Sequence, residues 1–158
     1  MSRIELGIEA WQDCSGEALA LARLHATEIG EEEVEPKRKH EIDSELMELL
    51  SSSKVLRIYT ARVDSKLVGY LTWNISLDVE SKGLVIAQQG GWFHDPKCKS
   101  FGLALKLFLF SVKDLQTLGV QQIFPHHRLR GRGKALGKFF IRLGAKPLQH
   151  NYSLWIGL

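Results

Sequence analysis

Cysteine is scarce in this chain of 158 residues: Cys14 and Cys98 stand far apart and form no Cys-x-x-Cys pair. That spacing suggests neither a zinc site nor a disulfide framework, and it fits a reducing, cytoplasmic compartment. No His/Asp/Cys cluster has the spacing of metal ligands, so no metal is expected. No apolar run approaches the roughly 20 residues needed to cross a bilayer, and none is expected to contact a membrane. The opening segment, Met1 to Trp11, lacks the basic start and apolar core of a signal peptide. No Gly-x-x-x-x-Gly-Lys-Ser/Thr loop occurs, since Gly131-Arg132-Gly133-Lys134 lacks the preceding spacing. Acid is nearly missing from one region: Lys97 to Lys146 holds eleven Lys or Arg residues and one acid, Asp114.

What remains is the composition of an ordinary globular protein, 44% hydrophobic and 25% charged. The length suits a single domain, expected over residues 1–158. The net charge is only +3, but it is divided between an acidic cluster at Glu31, Glu32, Glu33 and Glu35 and a basic C-terminal half. Such a half suits an anionic partner, either a nucleic acid or a small polyanion.

Periodicity and punctuation give an element order. Ile4 to Ala10 alternates as a strand, and Ser15 reads as the N-cap of a helix from Gly16 to Ile29, with Leu19, Ala22, Leu24 and Ala26 inward. A second helix is expected from about Pro36 to Leu50. Val55 to Val63 and Leu67 to Ile75 read as a hairpin closed by Asp64-Ser65-Lys66. Leu84 to His94 is a strand interrupted by Gly90-Gly91, the mark of a bulge, a bend or a close backbone approach. A long amphipathic helix spans Gly102 to Leu118 and stops at Gly119. A short strand (Val120 to Pro125), a helix (Gly133 to Leu143) and a closing strand (Gln149 to Ile156) follow. The crossover helix implies a parallel pair within an otherwise antiparallel sheet. The fold class is therefore α/β (α+β), with a mixed, mostly antiparallel sheet and helices on both faces.

The chemistry concentrates where the third of the long strands meets the long helix, at His94-Asp95-Pro96-Lys97-Cys98-Lys99-Ser100-Phe101-Gly102-Leu103-Ala104. A helix start presents unpaired N–H groups and the positive end of the helix dipole. Gly102 and Ala104 keep that turn bare, so a pyrophosphate can reach the main chain, and Lys97 and Lys99 add charge. A strand that diverges at Gly90-Gly91 can offer the main-chain groups of Trp92, Phe93 and His94 to an extended amide-bearing ligand, as an added strand would. Arg128-Leu129-Arg130-Gly131-Arg132-Gly133 also fits a glycine-spaced loop, but it leaves too little chain after Gly133 and no role for the Gly102–Leu118 helix.

This stretch, Lys99-x-x-Gly102-x-Ala104 between a strand and a long helix, resembles the acetyl-CoA loop of the GNAT (Gcn5-related N-acetyltransferase) family. The downstream order, through Leu118-Gly119-Val120, Arg142-Leu143-Gly144-Ala145 and Tyr152-Ser153, is similar too. The likeness covers roughly Leu56 to Leu158, and it is nearest to small acetyltransferase-like proteins of phages and prophages. It implies the acyl-CoA N-acyltransferase fold, with acetyl-CoA as co-substrate. It implies a cofactor site at Trp92, Phe93, His94, Lys99, Ser100, Phe101, Gly102, Leu103 and Ala104. The expected reaction is transfer of acetyl to a primary amine, on a small molecule or a protein, by direct attack in a monomer or homodimer.

The acid–base groups depart from that family's pattern. Gln88 and Gln89 stand where a strand Glu often serves as base, and Phe140 where a Tyr often serves as acid. Histidine titrates near neutrality, so His126 and His127, after the short strand, are the catalytic candidates, with Tyr152 a lesser one. A second reading follows from these departures: a fold with weak or lost catalysis that acts by binding a protein partner. A third, a nucleic-acid binder using Arg128, Arg130, Arg132 and Lys134, is disfavoured because that loop has no interleaved aromatics.

Overall fold

The computed structural model describes residues 3–29, 41–98, 102–127, 133–148 and 156. Its elements are β1 (Ile4–Ile8), α1 (Trp11–Ile29), α2 (Ser44–Ser52), β2 (Leu56–Val63), β3 (Lys66–Leu77), β4 (Val85–His94), α3 (Leu103–Thr117), β5 (Gln122–Phe124) and α4 (Gly133–Arg142). The strands lie in chain order in one sheet; β1 to β4 are antiparallel, and β5 joins β4 in parallel after the α3 crossover. The expected mixed sheet is borne out. The expected closing strand at 149–156 and the acidic cluster at 31–35 fall outside the described residues, Ile156 alone excepted.

Helices cover both faces because the central strands are apolar on both sides. Along β2, Leu56 and Ile58 point toward α1, whereas Tyr59 and Ala61 point toward α3. Trp11, Cys14, Ala18 and Leu21 form the inward stripe of α1, at helical spacing. On the opposite face Leu103, Leu107, Phe108 and Leu115 of α3 pack with Leu71 and Trp73 of β3. Burying each large side chain in these layers contributes roughly 1.5–3 kcal/mol. The Trp73 indole N–H is satisfied inside that core, donating to Ser111 Oγ at 3.0 Å, and the Ser111 hydroxyl donates to the Phe108 carbonyl at 2.7 Å.

Two helix starts differ from the sequence reading. Helix α1 begins at Trp11, not after Ser15, because the stripe that anchors it already includes Trp11 and Cys14. Leu24, expected inward, is instead 50% exposed. Helix α2 begins at Ser44, where the Asp43 carboxylate caps it by accepting from the Leu46 N–H at 2.9 Å. The hairpin between β2 and β3 closes through Asp64 and Ser65, both at positive φ, as a two-residue turn of this twist requires. Helix α3 ends as expected at Gly119, where the Gly119 and Val120 N–H groups return to Gln116 and Leu115.

Candidate active site

The double glycine of β4 forms a bulge. Leu71 pairs with Trp92 and Trp73 with Gln89, so Gly90 and Gly91 together oppose Thr72 alone. The Gly91 N–H donates to Thr72 Oγ1 at 2.9 Å, so the extra residue keeps a partner. Neither glycine has room for a side chain: a Cβ on Gly90 would lie 2.3 Å from Thr72 Oγ1, and one on Gly91 2.8 Å from Tyr70 Cε2.

Beyond the bulge β4 runs on without β5. Among the described residues their ladder is Ile86–Gln122, Ala87–Ile123 and Gln88–Phe124 and stops there. At the divergence a side chain replaces the missing backbone rung: Gln89 Nε2 donates to the His126 carbonyl at 3.2 Å, and the His126 N–H donates to Gln89 Oε1 at 3.3 Å. The Gln89 amide thus acts as a surrogate peptide group. Antiparallel alternation decides which groups face the gap. The Asp95 N–H donates to the Val68 carbonyl, so Phe93, two residues back, also faces β3 with its main chain. Trp92 and His94 direct theirs the other way, toward the side of β5.

The side chains alternate as well. Trp92 stacks on Phe108 (centroids 5.3 Å) and lies 6.1 Å from Phe140, so the α3–α4 side of β4 is lined with aromatic rings. Phe93 is buried on the α1 side, stacked against His25 at 4.8 Å. His25 Nδ1 and the Tyr70 hydroxyl share a hydrogen bond of 2.9 Å. Sequence reasoning missed this pair. The available signal was spacing, because His25 continues the Trp11, Cys14, Ala18, Leu21 stripe one turn further, a polar residue at an inward position.

The start of α3 matches the expected bare turn. Gly102 adopts a left-handed conformation (φ 72°, ψ 12°) as the N-cap, with open space where a side chain would stand. The Leu103 side chain is fully buried in the core, so only its main chain can serve a ligand, and Ala104 is half-buried. Lys99, Ser100 and Phe101 lie outside the described residues, as do Arg128, Arg130, Arg132 and Tyr152. His126 is exposed, with its main chain held by Gln89; His127 packs against α4, its Nε2 2.7 Å from where a Cβ on Gly137 would be. Phe140 is buried among aromatic rings. Cys14 is buried beside Glu9, and burial above all pushes its thiol up to about 11, so it is no nucleophile at neutral pH. Among the described residues no group of His, Cys, Asp and Glu is placed to hold a metal, and no helix is long and apolar enough to cross a membrane.

Solved structures share this fold. A ribosomal-protein-alanine N-acetyltransferase from Brucella melitensis biovar Abortus 2308 superposes with a TM-score of 0.70 at 17% identity, over 98% of this chain and 100% of that one. An aminoglycoside acetyltransferase from an uncultured soil metagenomic sample gives 0.76 at 12% identity, over 98% and 99%. A predicted acetyltransferase from Clostridium acetobutylicum, solved with acetyl-CoA, gives 0.72 at 10% identity, over 98% and 97%. The fold is that of the GNAT acetyltransferases. No family model matches the sequence, and comparison with curated proteins finds no match. In the GNAT fold of this chain, the divergence of β4 from β5, the bulge and the glycine-capped α3 follow one another from the C-terminal half of β4 onward.

Proposed function

We propose that the protein is an acyl-CoA-dependent N-acyltransferase that moves acetyl from acetyl-CoA to a primary amine. The observation that supports this most is the divergence of β4 from β5 next to the bare α3 N-terminus. An extended chain of amides laid along β4 would meet the outward main-chain groups of Trp92 and His94. The pyrophosphate would reach the first N–H groups of α3, from Leu103 and Ala104, where Gly102 presents no side chain. Lys99, Ser100 and Phe101 complete that loop in the sequence. A main-chain N–H of the outward set would also polarise the acetyl carbonyl. An amine of pKa about 10 is largely protonated at neutral pH, so a proton acceptor is needed near the gap, and His126 and His127 border it in sequence.

The acceptor class is an amine because the neighbours named for their substrates act on an aminoglycoside or a ribosomal-protein alanine. The alternative, a partner-binding protein with reduced catalysis, is motivated by Phe140, which offers no acid where it lies. Calorimetric titration with acetyl-CoA tests the reading. Micromolar binding is expected, lost by at least tenfold in Gly102→Glu, whose carboxylate would meet the pyrophosphate. Gly102→Asn, which tolerates the left-handed backbone without adding charge, should bind within a few-fold of wild type. No binding at millimolar acetyl-CoA overturns the reading.

A further inference from the structure

We propose that Tyr70 and His25 form the proton path for the acceptor amine, with the Tyr70 hydroxyl meeting the amine and His25 holding the proton behind it. The inference rests on the acyl-transfer reading above and assigns the acid–base work that the sequence left to His126 or His127.

A thioester lying along the outer edge of β4 at Trp92 can be approached from either face of the sheet. On the α3–α4 face the rings of Trp92, Phe108 and Phe140 pack together, and they offer no group that exchanges a proton. The α1 face carries Tyr70, and its ring comes down onto the main chain of Gly91, the residue before Trp92. Gly91 permits that contact, since any side chain there would collide with Tyr70 Cε2 at 2.8 Å. The hydroxyl of Tyr70 then reaches His25 Nδ1 at 2.9 Å, and His25 is fixed by its stack on Phe93, 12° from parallel. The groups around His25 include Tyr70 from β3, Phe93 from β4 and, one turn on along α1, the exposed Glu28.

In the Nε2–H tautomer His25 Nδ1 accepts from the Tyr70 O–H. The ammonium of the acceptor passes one proton to the Tyr70 oxygen as Tyr70 passes its own to Nδ1, giving a neutral amine and an imidazolium that later releases its proton to solvent. The amine nitrogen bonds to the acetyl carbon, the carbon–sulfur bond breaks with its electron pair on sulfur, and the second proton shed by nitrogen ends on that sulfur. The products are the amide, the free thiol and one proton. Tyr70 is the catalytic residue of this path and His25 its positioning residue.

The test measures thiol release from acetyl-CoA, with sisomicin and with a peptide bearing a free N-terminal alanine as probes, across pH 5.5–9.5. Wild type should show an acid limb as the proton acceptor becomes protonated. His25→Gln, which can still hydrogen-bond Tyr70 but cannot take its proton, should lose about 10- to 100-fold at pH 7 and lose that limb, its rate rising instead toward the pKa of the amine. Tyr70→Phe, which keeps the ring over Gly91, should behave alike, and both variants should bind acetyl-CoA within twofold of wild type. Variants that keep the wild-type rate and limb overturn the proton path while leaving acyl transfer standing. So does a rate loss that only follows lost acetyl-CoA affinity or melting temperature. Wild type that binds no acetyl-CoA, or releases no thiol with either probe, overturns the acyl-transfer reading and this path with it.

Discussion

At position 90 the choice of glycine is dictated by a hydroxyl on the next strand. Thr72 Oγ1 occupies the space of the missing side chain while it accepts from Gly91, so the bulge and its partner are one unit. Gly90→Ala should therefore destabilise by about 1–3 kcal/mol, the range for forcing extra carbon into packed space. Thr72→Ala in the same chain should recover part of that loss. Denaturation of the two single variants and the double variant checks this, and strictly additive losses would show that the contact is not the cause. The double glycine was legible in the sequence as a break in regular pairing, a bulge among the readings, because glycine within a strand marks a bulge, a bend or a close backbone approach. Its partner was not, because Thr72 is an unremarkable strand residue until the register places it opposite. His25 is hidden differently: a polar residue at the end of the inward stripe of α1 carries no apolar signal of its own.

Elements were legible where periodicity and punctuation agreed. Helix α3 carries apolar residues at helical spacing between two glycines, and its bounds were found to within one residue. Helix α1 starts earlier than Ser15 and Gly16 suggest, because the burial of Trp11 and Cys14 outweighs weak helix formers in an anchored turn. Helix α2 has nine residues and no fully buried side chain, so its cap should matter more than its packing. Asp43→Ala should cost about 1 kcal/mol, and Asp43→Asn much less, since an amide oxygen still accepts from Leu46. Equal losses in the two variants, read by chemical denaturation, would assign the effect to charge and not to the cap.

Across the whole molecule, ion pairs sew the layers together. Arg62 of β2 bonds Glu9, after β1, and Glu17 of α1, while Arg57 of β2 bonds Asp114 of α3. The Arg62 hydrogen bond, above all, holds Glu9 below the ordinary carboxylate range, and for Glu17 the Leu67 N–H leads with Arg62 behind it. Burial pushes Asp114 up, but the hydrogen bonds from Arg57 and Tyr59 outweigh it and leave the carboxyl lowered. Each of these groups is more acidic folded than unfolded. Their stabilisation is complete above the unfolded value, about 4, and is lost as pH falls through the folded values. The denaturation midpoint should stay level from pH 7 to about 5 and drop steeply below 4; Arg62→Met should lower it at neutrality and flatten the acid drop. The charge division was plain in the sequence, but the inward turn of Asp114 was not. With the one acid of the segment 97–146 committed to Arg57, the basic surface of that half has no internal counter-ion of its own sequence region.

The bond that spans the divergence of β4 and β5 belongs to a side chain, and so its length is written in one codon. A backbone ladder fixes strand separation by the pitch of the peptide; the Gln89 amide fixes it by the reach of two methylenes. Shortening that reach by one methylene, as asparagine would, alters the spacing there without touching any residue of the sheet's core. The width of the gap is in that sense a heritable variable separate from the fold, open to adjustment by single substitutions while the rest of the architecture is held constant.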